Sequence, residues 1–167
     1  DINSFVPKGA IPTNISLPKT LSLKGTAKGN AKNFRTNLNI SSSYGGAKII
    51  ALFDRRVKDR EKYDADLTLN DFNIGSLIQN KQLGKVSLTA KVKGTGLNPK
   101  TANALVDAML KNATYNGYQY KNLALNGNIK NGEFAAKANM TDPNLTFALD
   151  ASGGFNGKYP SVQMKLN

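Results

Sequence analysis

Hydrophobic side chains recur at every second position over most of this chain. Val86, Leu88, Ala90 and Val92 fall on one side of the backbone, with Lys85, Ser87, Thr89, Lys91 and Lys93 on the other. The beat returns in Phe134, Ala136, Ala138 and Met140, in Leu145, Phe147 and Leu149, and in Val162, Met164 and Leu166. Successive side chains of a strand point to opposite faces, so the pattern predicts strands with one apolar and one wet face. A one-sided element repeated over so much chain favours a long binding surface over a compact catalytic pocket.

Strand signals start near Ile15 and Leu17 and continue through Leu21 and Leu23, ahead of a Gly-rich turn over 25–29. Phe34, Leu38 and Ile40 mark the next strand; Ile49, Ala51 and Phe53 follow the turn at 41–46. The mixed charge run 54–62 reads as a solvated hairpin tip before a strand over 63–69. Within 72–84 the beat breaks: Ile74, Leu77 and Ile78 are spaced as on a helix, Asn73 can cap its start and Gly84 can end it. This predicts one helix of two to three turns. Segment 102–113 fits a helix loosely, but Ala104, Val106, Ala108 and Leu110 make a clean strand face, so strand is preferred over intrinsic propensity. Hairpin turns at Asn116-Gly117, Asn131-Gly132 and 142–144 separate the remaining strands.

The sum is about ten strands joined mainly by short turns. Such turns cannot make parallel crossovers, so residues 1–167 read as a single all-β domain, an antiparallel meander with one short helix. Leu23-Lys24-Gly25-Thr26, Val92-Lys93-Gly94-Thr95 and Leu125-Asn126-Gly127-Asn128 look like repeated strand endings. Two fates are open to the apolar face. It can close on itself as a sandwich or barrel core, the default for an amphipathic sheet, or stay open as a trough for an apolar ligand. Frequent alanine on that face makes it shallower than a usual core.

Composition narrows the chemistry. The 167 residues contain no cysteine and no histidine, which removes disulfides, thiolate sites, imidazole bases and the usual zinc ligands. Catalysis, cofactors and metals are therefore not expected. The net charge of +12 attracts acidic surfaces, although lysines spaced along strands also serve solubility and discourage edge pairing. No apolar run is long enough to span a membrane, and the chain opens on Asp1, which reads as a processed or excised segment. Asp64, Asp66 and Asp71 lack the spacing of a calcium loop and read as a solvated strand face. Tyr115, Tyr118 and Tyr120 could stack on bases but are ordinary hairpin residues, and nucleic acid is not the expected partner.

The succession of motifs points further. Leu67-Thr68-Leu69-Asn70-Asp71-Phe72-Asn73-Ile74-Gly75-Ser76-Leu77, then Leu83 to Leu88, Val92 to Leu97, Tyr115 to Leu123, Gly127, Asn131-Gly132-Glu133-Phe134 and Asp142-Pro143-Asn144-Leu145 resemble AsmA-like and TamB proteins, especially those of Bacteroidetes. The resemblance spans residues 63–155. It implies an internal fragment of a long periplasmic protein of Gram-negative cells whose inner-membrane anchor lies outside this segment. It implies a taco-like β-groove and no catalytic residues. The expected function is non-enzymatic envelope biogenesis, in which the groove shelters phospholipid acyl chains moving between the two membranes. The groove residues would be Val86, Leu88, Val92, Val106, Phe134, Ala136, Leu145, Phe147 and Leu149, under a lysine-rich rim. The alternatives are a scaffold for outer-membrane protein assembly that offers strand edges to the assembly machinery without lipid, and a closed β-domain that binds polyanions.

Overall fold

The computed structural model describes residues 14–167. Ten strands form one sheet in strictly sequential order: β1 (Leu21–Asn30), β2 (Asn33–Ser42), β3 (Gly45–Asp54), β4 (Lys62–Asn73), β5 (Leu83–Thr95), β6 (Asn103–Tyr115), β7 (Tyr118–Lys130), β8 (Glu133–Asp142), β9 (Leu145–Gly154) and β10 (Ser161–Leu166). Every pairing is antiparallel and between chain neighbours. β1 and β10 do not pair with each other, so the sheet is open. The fold is an all-β meander.

Openness shows in the surface area. A compact monomer of this mass exposes about 8,000 Å², whereas this chain exposes 11599 Å². Among the described residues no side chain is less than 2% exposed, and the buried apolar side chains are few and mostly small: Ala47, Val86, Ala102, Ala138 and Met140. A closed sandwich or barrel is therefore not what this sequence builds. Substantial packing between elements is confined to successive strands and to the helix against β5.

Turn chemistry fixes the register. Asn116 and Gly117 both have positive φ, at 48° and 80°, as do Asn131 and Gly132, at 51° and 83°. That is the primed geometry whose twist matches the flanking strands. The Gly-rich stretch 25–29 is not a turn but lies inside β1, and the turn falls at Ala31-Lys32. There the Asn30 side-chain oxygen accepts from the backbone N–H groups of Lys32 and Asn33 at 2.9 and 3.2 Å, so an Asx turn takes the role assigned to glycine. Of the three Leu/Val-Lys/Asn-Gly tetrads, Val92 to Thr95 does end its strand, whereas Leu23 to Thr26 and Leu125 to Asn128 lie inside β1 and β7.

The helix, α1, is shorter than the spacing predicts: it covers only Ile74–Leu77. Asn73 does cap it, accepting from the Ser76 N–H at 2.9 Å. Gly84 is not its stop; that residue already belongs to β5, and the left-handed position is Gln79, with φ of 57°. Gly75 and Ser76 are weak helix formers, which leaves a single turn. Ile15 and Leu17 form no strand either. Instead Ser16 N–H donates to Leu77 O at 2.7 Å, and the Tyr44 hydroxyl donates to Leu17 O at 3.1 Å. This segment, α1, and the edge-to-face pair Tyr44–Phe72 gather at one end of the sheet. Strand signals at 102–113 resolve as β6, with Ala104, Val106, Ala108 and Leu110 on the apolar face.

Two glycines on that face have opposite surroundings. At Gly94 a Cβ would come within 2.7 Å of both the Tyr63 ring and the Ala104 side chain, whereas at Gly127 the nearest atom would lie 3.7 Å away. Gly94→Ala should therefore lower unfolding stability by about 1–3 kcal/mol through overpacking. Gly127→Ala should be neutral or raise it by up to about 1 kcal/mol through the unfolded chain. Urea melts of the two variants check the contrast.

Candidate functional site

The register assembles the apolar beats into four rows that run across the strands. One holds Gly29, Phe34, Phe53, Tyr63, Gly94, Ala104, Ile129, Phe134, Gly153 and Val162, each directly opposite the next. The next is composed of small side chains: Ala27, Thr36, Ala51, Ala65, Val92, Val106, Gly127, Ala136 and Ala151, ending on Met164. The third carries Leu38, Ile49, Leu67, Ala90, Ala108, Leu125, Ala138, Leu149 and Leu166. The fourth, nearest α1, carries Leu23, Ile40, Ala47, Leu69, Leu88, Leu110, Leu123, Met140 and Phe147.

Only Thr36 and the Tyr63 hydroxyl bring polar side-chain atoms into these rows. With strands about 4.8 Å apart and rows about 6.7 Å apart, the face measures roughly 43 by 20 Å. That is about 900 Å², beyond the ~300–600 Å² of the largest apolar patch on an ordinary monomer. Between the aromatic row and the leucine-bearing row, the small side chains leave a channel in the side-chain layer that crosses the sheet. The aromatic wall is held in place locally. Phe34 and Phe53 lie 5.6 Å apart, as do Phe134 and Phe155, and the Tyr63 hydroxyl donates to Gly96 O at 3.2 Å. Burial pushes the Tyr63 hydroxyl pKa upward, with the neighbouring Glu61 charge adding to it, so the group stays neutral.

The structure puts the expected groove residues on this one face. Val92, Val106 and Ala136 lie in the small row, Phe134 in the aromatic row, Leu149 in the third row, and Leu88 and Phe147 in the fourth. Val86 sits beyond the rows, buried between Phe72 and Ala113 at the α1 end. Leu145 is at the β8–β9 tip opposite Asp142 and is 42% exposed. Residues of β2, β3 and β4 that share the face, such as Leu38, Ile49, Ala65 and Leu67, were not among those expected. Their alternation is as plain as that of Val86 to Val92, but membership in one row depends on register across five hairpins.

The opposite face is charged, and its charges are matched across strands. Asp54 stands opposite Lys62, Asp64 opposite Lys93, Asp66 and Asp107 opposite Lys91, Glu133 opposite Lys130, and Asp150 opposite both Lys137 and Lys165. Lys93 and Asp64 close to 3.1 Å, and Lys137 and Asp150 to 3.2 Å. These exposed pairs contribute little individually but favour the observed register. Asp64 and Asp66 are thus partnered by lysines, and among the described residues no group of three metal-ligating side chains exists. Tyr118 and Tyr120 meet edge to face at 4.6 Å, and Tyr118 is engaged by Asp142.

Asp142 is 3% exposed at the β8–β9 turn. Its carboxylate accepts from the Tyr118 hydroxyl at 2.5 Å and from the N–H groups of Lys121 and Asn144, each at 2.9 Å. The Tyr118 hydrogen bond above all, with these backbone donors, holds the carboxyl below its ordinary pKa against the upward pull of burial. Comparison with protein-family models, with curated proteins and with solved structures gives no match to this chain.

A carboxylate with a depressed folded-state pKa stabilises the fold above its unfolded pKa and loses that contribution as pH falls through the folded value. Tyr118→Phe removes the first of its donors and raises the folded pKa. The acid loss of stability should then begin at higher pH than in the wild type, while stability near pH 7 also drops. Urea midpoints measured from pH 7 down to pH 2 show whether the acid limb moves.

Proposed function

We propose that this chain is a non-enzymatic lipid-sheltering module of the Gram-negative periplasm, whose apolar face holds phospholipid acyl chains in transit between the inner and outer membranes. The carrying observation is the roughly 900 Å² apolar face, continuous over ten strands and without a second layer among the described residues. An exposed face of this size is of the kind that marks a site for an apolar partner. Its channel of small side chains is linear, which suits a flexible chain more than a rigid ring system.

Dimensions agree. One acyl tail spans about half of the ~30 Å hydrocarbon core of a bilayer, so a channel of roughly 43 Å accommodates the length of more than one tail. Each methylene moved out of water gains about 0.8 kcal/mol, so ten sheltered methylenes offset about 8 kcal/mol of the cost of leaving a membrane. The open side leaves the head group in water. No side chain acts chemically, and a tail slides because every position along a row offers similar apolar contact. The resemblance of 63–155 to AsmA-like and TamB proteins supports the same reading and the periplasmic setting. The edge of β10, unpaired among the described residues and with Val162, Met164 and Leu166 exposed, favours the second reading, a scaffold that offers strand edges during outer-membrane protein assembly.

Organic extraction of the purified protein followed by lipid mass spectrometry tests the first reading. Phospholipid should co-purify near stoichiometry, and Ala65→Phe and Ala136→Phe, which fill the channel without adding charge, should reduce it at least fivefold while the far-ultraviolet dichroism stays β-type. Lipid-free wild type, or variants that retain full loading, would refute acyl-chain shelter and leave the scaffold.

A further inference from the structure

One cross-strand pair departs from the charge matching of the polar face. Lys28 of β1 stands directly opposite Arg35 of β2, two cations where every other pair of charged residues in register has opposite signs. Like charges in direct opposition destabilise a sheet. Among the described residues neither cation has a carboxylate partner. Asp54, diagonal to Arg35 across β3, is taken by Arg56, whose Nε and Nη2 donate to its two oxygens at 2.9 and 2.6 Å. The same region also carries Lys24 and Lys48, placed opposite Asn39, and no acid other than Asp54 stands in β1, β2 or β3.

The pair borders a hollow of about 700 Å³ on this face, lined by Thr26, Lys28, Arg35, Asn37, Ile50 and Arg56. Of its three cations Arg56 is held by Asp54, which leaves Lys28 and Arg35 beside the polar Thr26 and Asn37, over an apolar floor that includes Ile50 and Leu52. We propose that this hollow is an anion site for a phosphate group, with Lys28 and Arg35 as its two cationic arms and Thr26 and Asn37 as neutral donors. Arg supplies a planar fork that matches two phosphate oxygens, and Lys supplies a point charge. A bound dianion or diester removes the repulsion that the bare pair carries. The site lies on the face opposite the acyl channel and does not depend on lipid occupying that channel. The phosphate could be that of a lipid head group presented by a membrane or that of a small soluble ester; the chemistry of recognition is the same.

The test exploits the unfavourable pairing. Lys28→Glu turns the like-charged pair into an opposite one, so it should raise the thermal midpoint while abolishing binding, a combination that a merely structural role for Lys28 does not produce. Lys165→Glu on β10 makes the same change in net charge far from the hollow; it sets a like charge opposite Asp150 and so lowers the thermal midpoint itself, but it leaves the β1–β2 pairing untouched and is the control for binding. Two probes are used on the purified chain: inorganic phosphate against chloride at equal ionic strength, read as a thermal shift, and sedimentation with vesicles of phosphatidylcholine alone or mixed with phosphatidylglycerol, whose negative surface attracts Lys and Arg. The expected result is binding by the wild type, at least tenfold weaker binding by Lys28→Glu and Arg35→Gln, and less than twofold weakening by Lys165→Glu. A phosphate shift seen in the wild type and lost in Lys28→Glu assigns a small ester; sedimentation with anionic vesicles alone assigns the lipid head group. Equal losses in Lys28→Glu and Lys165→Glu would mean that only net charge acts, and the site would be overturned. No response of the wild type to either probe would overturn it too.

Discussion

Register is the constraint on which everything else here depends. A slip of one residue in any hairpin would turn that strand's apolar set to the charged face and break all four rows at once. Three devices hold it. The Asn-Gly turns at 116–117 and 131–132 set pairing of β6 to β8 geometrically. Cross-strand pairs such as Lys93–Asp64 and Lys137–Asp150 favour it from the wet side. From the apolar side, Tyr63 lying on Gly94 fits only where an aromatic meets a residue without a side chain.

Much of the fold was legible in the residues because period-two alternation survives in almost every strand. Ten strands and sequential antiparallel order follow from alternation and short turns. What misled was local punctuation. Gly25 and Gly29 look like a turn, yet they lie in β1 opposite Leu38 and Phe34, where a missing side chain accommodates its neighbours. Asn30 was the better signal, since a short side-chain acceptor can organise the following turn by itself. The helical spacing of Ile74, Leu77 and Ile78 was real, but Gly75 and Ser76 do not sustain a second turn and β5 claims Gly84. Ile15 and Leu17 alternate like a strand, but their segment is held instead by hydrogen bonds from Ser16 N–H to α1 and from the Tyr44 hydroxyl to Leu17 O.

The site was legible in part. Any one strand reveals which of its side chains are apolar, so Val92, Val106 and Ala136 could be singled out. That they align into a single row of small side chains with Ala51 and Ala65 could not be read without the register. The open or closed state of the sheet was equally hidden, because alternation is identical in a barrel and an open sheet. Charge placement carries information of the same kind. The unmatched Lys28–Arg35 opposition is invisible in the sequence, where the two residues are separated by a turn and look like ordinary solubilising cations.

Pairing only between chain neighbours has a consequence for how the molecule comes together and apart. Each strand can dock on the one before it as soon as its hairpin closes, so no contact waits for distant chain to arrive, and loop-closure entropy stays small at every step. Such a sheet grows by accretion, much as repeat proteins do, with stability close to a sum of strand-to-strand terms. Its resistance to opening is therefore graded: greatest at β5 to β7, the longest strands and well inside both edges, and least at β1 and β10, where amide protons exchange first.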